Sequence, residues 1–213
     1  MEYLLSKIVM IPAILIAFVA QGYARAKVAD YLGDKTPRFQ GRLSLNPLAH
    51  IDLYGFLMII ITGFGWTKPV ITNPAAYKRG YKDEFKVSIA APIANLIVAF
   101  VGMFIYMFWI YVVQNFVPTS IYGVGYYMLY YIILININLA IFTLIPLPGL
   151  VGFDLFKKIS PKNFYKYSEV IYRYQLVLLV AVVLFGQYIL IYPVALIYNL
   201  FYEVVSIFFG IFI

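Results

Sequence analysis

The sequence contains no cysteine and only one histidine, His50. The absence of cysteine excludes disulfide bonds, thiolate metal sites and cysteine nucleophiles. Catalytic zinc ions usually have three protein ligands, drawn mostly from His, Cys, Asp and Glu. A zinc site in this chain would need two carboxylates that converge on His50. We therefore expect the protein to hold no metal and no other cofactor.

Charged residues are also scarce. They make up 12% of the 213 residues, against about 25% in soluble domains, while hydrophobic residues make up 64%. No linker and no repeat divides the sequence, which predicts a single membrane-embedded domain, residues 1–213. The net charge of +7 comes from three basic clusters between apolar runs, a pattern typical of cytoplasmic loops in membrane proteins and not of a nucleic-acid-binding surface.

Long apolar runs predict an α-helical polytopic membrane protein. Two stretches, 87–153 and 174–202, contain no charged residue at all. About five transmembrane helices are predicted, since each of these runs reaches or approaches the roughly 20 residues that cross a bilayer: 8–24, 87–112, 125–146, 174–192 and 194 to the end. Pro193 is expected to break the last two apart.

The apolar run 51–64 is too short for an ordinary span and has basic residues on both sides, so it is predicted to be re-entrant. The loops 25–50, 65–86 and 154–173 each carry five basic and two acidic residues and are predicted to be cytoplasmic. This places the N-terminus outside an integral membrane protein. We expect a prokaryotic cell membrane, with the lipid bilayer as the main partner.

Four ordered motifs follow the first apolar run: GRLSLNPLAHID, FGWTKPVITNP, AAPIANL and INLAIFTLIPLPGLVGFDLF. Together they resemble the site-2 protease family of intramembrane zinc metalloproteases, and the resemblance covers about residues 10–160. It implies a membrane-embedded fold, a zinc ion in active members, and peptide-bond hydrolysis.

Active members of that family carry H-E-x-x-H in the first span, where two histidines one helical turn apart bind zinc and the glutamate acts as general base. Aligned through AKVADYLGD, the histidine positions fall on Gln21 and Arg25 and the glutamate position on Gly22. The third ligand position falls on Val151. The resemblance is therefore to a degenerate member with no catalytic residue and no metal ligand at these four positions.

The resemblance also implies a membrane-associated β-hairpin near residues 41–74, whose edge accepts an extended substrate strand. The Asn of the family motif A-G-P-x-x-N is retained. The predicted substrate-binding residues are Leu43, Ser44, Leu45, Val70, Ile71, Thr72, Asn73 and Asn95.

The leading hypothesis is a pseudoprotease that binds or regulates a transmembrane segment of a partner without cutting it. The alternative is an active intramembrane zinc metalloprotease with unconventional ligands, and a third class is a small membrane transporter. Two roles of Arg25 remain open: it plugs the former metal cavity, held by carbonyls of PLPGLVG, or it reaches toward the lipid headgroups. The role of Glu203, an acidic residue in the last apolar run, also stays open.

Overall fold

The computed structural model describes residues 2–62 and 65–212. These ranges contain eight α-helices and three short 3-10 turns, the turns being Pro47–Ala49, Pro74–Ala76 and Val113–Asn115. The α-helices are α1 (Glu2–Tyr31), α2 (Thr36–Phe39), α3 (Leu53–Thr62), α4 (Tyr81–Tyr111), α5 (Thr119–Thr143), α6 (Val151–Ile159), α7 (Pro161–Arg173) and α8 (Gln175–Phe212).

Four of the described helices are long and apolar enough to cross a membrane. The candidate spans are Lys7–Tyr31, Lys82–Asn115, Thr119–Thr143 and Tyr188–Gly210. The prediction of a helical membrane protein is confirmed at this level.

The predicted break at Pro193 is absent, because the two runs around it form one continuous helix, α8. Proline removes one backbone N–H, but membrane helices tolerate it where neighbouring groups adjust. With 38 residues and about 1.5 Å of rise per residue, α8 is about 57 Å long.

The core lies where α1, α4 and α5 pack together. Small side chains with no solvent exposure, Ala13 and Ala17 on α1 and Ala99 on α4, allow the backbones to approach closely. Within this core, Asn95 donates hydrogen bonds to the carbonyl of Ala17 (3.1 Å) and to Oδ1 of Asn136 (2.8 Å). A single amide therefore links all three helices.

The predicted β-hairpin near residues 41–74 does not form strands in the described part of the chain. This region contains α3 and two 3-10 turns that begin after Asn46 and Asn73. The side chain of each asparagine accepts a hydrogen bond from the backbone two residues on, which turns the chain at the following proline. Residues 63 and 64, the end of the predicted re-entrant run, lie outside the described residues.

Other contacts hold the extended stretches of this region in place. The backbone N–H of Lys68 donates to the carbonyl of His50 (2.9 Å), and the Arg42 guanidinium donates to the carbonyl of Pro69 (3.0 Å). Asp34, which is buried, accepts the backbone N–H of Asn73 (2.7 Å). The bond to Asp34 fastens the loop to the C-terminal end of α1.

The turn between α5 and α6 returns the chain toward α1. It uses Pro148 followed by Gly149, whose φ of +89° favours glycine. At Gly152 an added Cβ would overlap the backbone of Leu144 and Ile145, so only glycine lets α6 pack so closely against the end of α5. This close approach positions the first turn of α6 opposite α1.

Candidate functional site

A cavity of about 450 Å³ lies between α1, α6 and the beginning of α8. The segment 66–70, Ala91 of α4 and the turn 147–150 complete its walls. All four positions that the family alignment singled out line this cavity: Gln21, Gly22, Arg25 and Val151.

Gln21 and Arg25 share one face of α1 because residues four apart in a helix lie above one another. Gln21 is 7% exposed, and its buried Oε1 has no hydrogen-bond partner among the described residues. The buried Nε of Arg25 likewise has no partner there. Both side chains line the cavity, and each carries one buried polar atom that no described residue satisfies.

Gly22 faces the single histidine. A Cβ added at Gly22 would overlap the imidazole ring of His50, with Nδ1 as the nearest atom. His50 is fully buried, and its Nε2 lies 2.7 Å from the carbonyl of Ser44. The Nε2–H therefore donates a hydrogen bond to this carbonyl, and Nδ1 is an acceptor to which no described residue donates. The ring fills the space that any side chain at position 22 would need.

Arg25 pairs with Asp154 of α6, with 3.8 Å between Nη2 and Oδ2. The Arg25 side chain is 23% exposed and that of Asp154 is 44% exposed. Partial burial raises the pKa of Asp154 above its ordinary value, while the charges of Arg25 and Lys158 act in the opposite direction. Of the two roles left open for Arg25, the geometry places it in the cavity, with a carboxylate as its partner instead of the turn carbonyls.

The cavity does not fit a zinc ion. Zinc needs electron-pair donors, and an amide, a glycine, a guanidinium and an isopropyl group offer none of the usual kind. The guanidinium stays protonated and would repel a dication. No group of three or more His, Asp or Glu residues in ranges 2–62 and 65–212 is placed to hold a metal ion. The position of the general base is closed by His50.

The residues predicted to bind a substrate strand differ in their exposure and in their relation to the cavity. Val70 lines the cavity, whereas Leu45 and Ile71 are 68% and 64% exposed. Leu43, Ser44 and Thr72 are half-buried, and Asn73 is exposed.

Asn95 is fully buried in the helix core and does not line the cavity. Glu203 is exposed on the surface of α8, away from the cavity.

Some cavity residues were not found by sequence reasoning. Trp66 and Thr67 belong to a recognised motif but have no chemistry that marks them as cavity lining. Gln175, Leu176 and Leu179 lie at the start of α8, where an uninterrupted apolar run gives no signal for a specific contact. The contact between Gly22 and His50 joins positions 28 residues apart, and nothing in the sequence pattern indicates it.

The fold and the cavity define a polytopic helical membrane protein, and comparison with known proteins identifies its family. The chain is 34% identical over 152 residues, which is 71% of its length and 69% of the relative's, to "Putative zinc metalloprotease YwhC" of Bacillus subtilis (strain 168). No protein-family model matches the sequence, and no solved structure gives a significant match. The chain belongs to the site-2 protease family of intramembrane zinc metalloproteases.

The overlap at position 22 predicts strong coupling between two residues. Gly22→Ala should lower the free energy of unfolding by about 2 kcal/mol, because the buried ring of His50 cannot move aside. In a His50→Ala background the same change should cost much less. Unfolding of the four proteins in detergent gives the coupling energy.

Gly123→Ala serves as the matched control, since an added Cβ there meets nothing within 4 Å. A Gly22→Ala effect that is the same with and without the His50 ring would contradict the contact.

A pH dependence follows from the burial of His50. Burial lowers the pKa of His50, the charge of Arg42 lowers it further, and the bond to Ser44 opposes both. The unfolded chain therefore takes up a proton at about pH 6.5 while the folded chain does not, so stability present above this pH is lost as the pH falls. Thermal unfolding in detergent at pH 7.5 and 5.5 should show this loss. His50→Gln should reduce the difference in unfolding temperature between the two pH values. An unchanged difference in that variant would assign the effect to other titratable groups.

Proposed function

We propose that this chain is a non-catalytic member of its family that binds a transmembrane segment of a partner protein. One observation supports the loss of catalysis above all others. The four positions that would supply two histidine ligands, an acidic ligand and a general base surround one cavity, yet they carry Gln21, Arg25, Val151 and Gly22.

The remaining acidic residue of the cavity cannot replace them. Among the described residues, Asp154 is the carboxylate that lines the cavity, and it already faces the Arg25 guanidinium. A single carboxylate next to a fixed cation is a poor dication site, because the cation repels the metal. Hydrolysis also needs a group that takes a proton from water, and glycine offers none.

Partner binding is supported by the extended segment beside the cavity. The backbone N–H groups of Val70, Ile71 and Thr72 donate no hydrogen bond within the described residues. Unpaired backbone groups in an extended segment can accept an added strand from a partner. Val70 faces the cavity while Ile71 faces outward, so a strand bound here would pass directly by the cavity entrance.

The proposed orientation follows the basic loops. We infer that the loops between α1 and α4 and between α5 and α8 are cytoplasmic, because their basic residues outnumber the acidic ones. The N-terminus then lies outside a prokaryotic cell membrane. In this arrangement the short apolar helix α3 enters the cytoplasmic leaflet and returns, since its 10 residues are too few to span a bilayer.

Metal content and cleavage test the loss of catalysis. The purified protein should contain far less than one zinc per chain and should not cleave a transmembrane substrate. Restoring the ligands with Gln21→His, Arg25→His and Val151→Asp should create stoichiometric zinc binding, because these three positions face one cavity. Cleavage should further require Gly22→Glu together with His50→Ala, since the ring of His50 blocks a side chain at position 22.

The control moves the histidine pair to another face of α1. Ala20→His and Ala24→His with Val151→Asp keep the spacing of four residues but turn the pair by about 100°, so they should bind no zinc. Stoichiometric zinc in the unmodified protein, lost to a chelator together with cleavage activity, would overturn the proposal. Equal zinc binding by both variants would show that the alignment of the first span is wrong.

Crosslinking tests partner binding. A photoreactive amino acid at Ile71, exposed next to the cavity-lining Val70, or at Leu45, exposed in the other predicted strand segment, should capture a membrane-spanning protein in native membranes. The same probe at Phe116, which is 80% exposed beyond the far end of α4, should not capture that protein. Identical products from all three positions, or none from Leu45 and Ile71, would count against a partner strand at this entrance.

A further inference from the structure

Two side chains that line the cavity carry buried polar atoms that no described residue satisfies. Gln21 is 7% exposed, and neither its Oε1 nor the buried Nε of Arg25 has a hydrogen-bond partner among residues 2–62 and 65–212. Burial of a donor without an acceptor is unfavourable, so the unused N–H of Arg25 suits a ligand that brings an acceptor, and the Gln21 amide can present its N–H to such a ligand by rotating. Both side chains line the same cavity, one helical turn apart.

The ion pair between Arg25 and Asp154 leaves room for such a ligand. Its 3.8 Å separation exceeds the roughly 2.7–2.9 Å of a charge-assisted hydrogen bond. Asp154 also lies near a second cation, Lys158, which itself pairs with Glu84 at 3.5 Å. Asp154 can therefore release Arg25 and still have a positive charge nearby.

The walls around these groups are largely apolar, and six of the residues that form them are Val70, Ala91, Phe142, Leu147, Val151 and Leu179. The volume of about 450 Å³ falls within the range of about 300–1,000 Å³ typical of small-molecule pockets. The cavity thus combines the Arg25 guanidinium, the Gln21 amide and the Asp154 carboxylate with space for an apolar chain.

We propose that the cavity binds the carboxylate group of an apolar chain. Arg25 supplies the charge and the planar pair of N–H donors that match a carboxylate, and Gln21 turns its amide N–H toward the same group. A phosphate fits less well, because its second negative charge would stay uncompensated in an apolar cavity with one available cation. The chemistry is shared by a fatty acid from the bilayer and by the C-terminal carboxylate of an apolar peptide.

The inference rests on the proposed function in one respect, the absence of a bound metal ion. A dication in the cavity would itself attract a carboxylate. The test is therefore made in the presence of a chelator. The probes are dodecanoate and an apolar hexapeptide, each labelled with ¹³C at its carboxylate and added to the full chain in detergent micelles. Saturable bound signals in NMR spectra report binding, and dodecanol and the peptide amide serve as competitors that lack the charge.

At least one carboxylate probe should bind, and the neutral analogues should compete weakly. Arg25→Gln should weaken binding by about tenfold or more, as expected for a lost charged hydrogen bond. The affinity of Arg25→Lys should lie between those of Arg25→Gln and the unmodified protein. Asp154→Asn should strengthen binding, because it removes the competitor for Arg25. Lys157→Gln removes an exposed cation on the same helix outside the cavity and should change little.

The probes also separate the two ligand sources, since binding of the fatty acid alone, the peptide alone or both each identifies what the cavity accepts. Three results would overturn the inference: no bound carboxylate, equal competition by dodecanol, or an unchanged affinity in Arg25→Gln. Binding that appears only when zinc is added would instead show that the proposed loss of metal is wrong.

Discussion

The hydrogen bonds of Asn95 fix the rotation of α1, and the cavity depends on that rotation. Asn95 donates to the carbonyl of Ala17 on α1 and to Asn136 on α5, in a core that water does not reach. Inside a bilayer an unsatisfied amide has few alternative partners, so this link favours one arrangement of the three helices. Gln21 and Arg25 follow Ala17 by one and two helical turns, and the same rotation presents both to the cavity.

The sequence was informative where a feature rests on long apolar runs or on aligned motifs. Three of the predicted spans coincide with observed helices. The run 8–24 lies within α1, and the runs 87–112 and 125–146 lie largely within α4 and α5. The agreement follows because a long apolar run is the main requirement for a membrane-spanning helix. Local chemistry was less decisive. Pro193 signals a break in a soluble helix but is accommodated in α8. In the region predicted to form a β-hairpin, Asn46 and Asn73 instead cap 3-10 turns. The packing of His50 on Gly22 is a tertiary contact without a sequence pattern.

The site shows how a cavity can persist with different chemistry. In the unmodified family pattern, ligands on the first span and near the later turn meet at one metal ion. Here the same two elements meet through Arg25 and Asp154, an ion pair between α1 and α6. The pair is partly exposed and long, so its contribution to stability is small, about 1 kcal/mol or less. The close packing of Gly152 against the end of α5 also positions α6.

The length of α8 has a consequence for the lipid environment. A helix about 57 Å long exceeds a hydrocarbon thickness of about 30 Å, and apolar side chains such as Leu176 and Phe185 are exposed before the candidate span begins at Tyr188. Hydrophobic mismatch of this kind is relieved by tilting or by local thickening of the bilayer. Leu176 and Leu179 also line the cavity, so a tilt of α8 relative to the other helices would displace part of the cavity wall. Membrane thickness would in this way bear on access to the cavity.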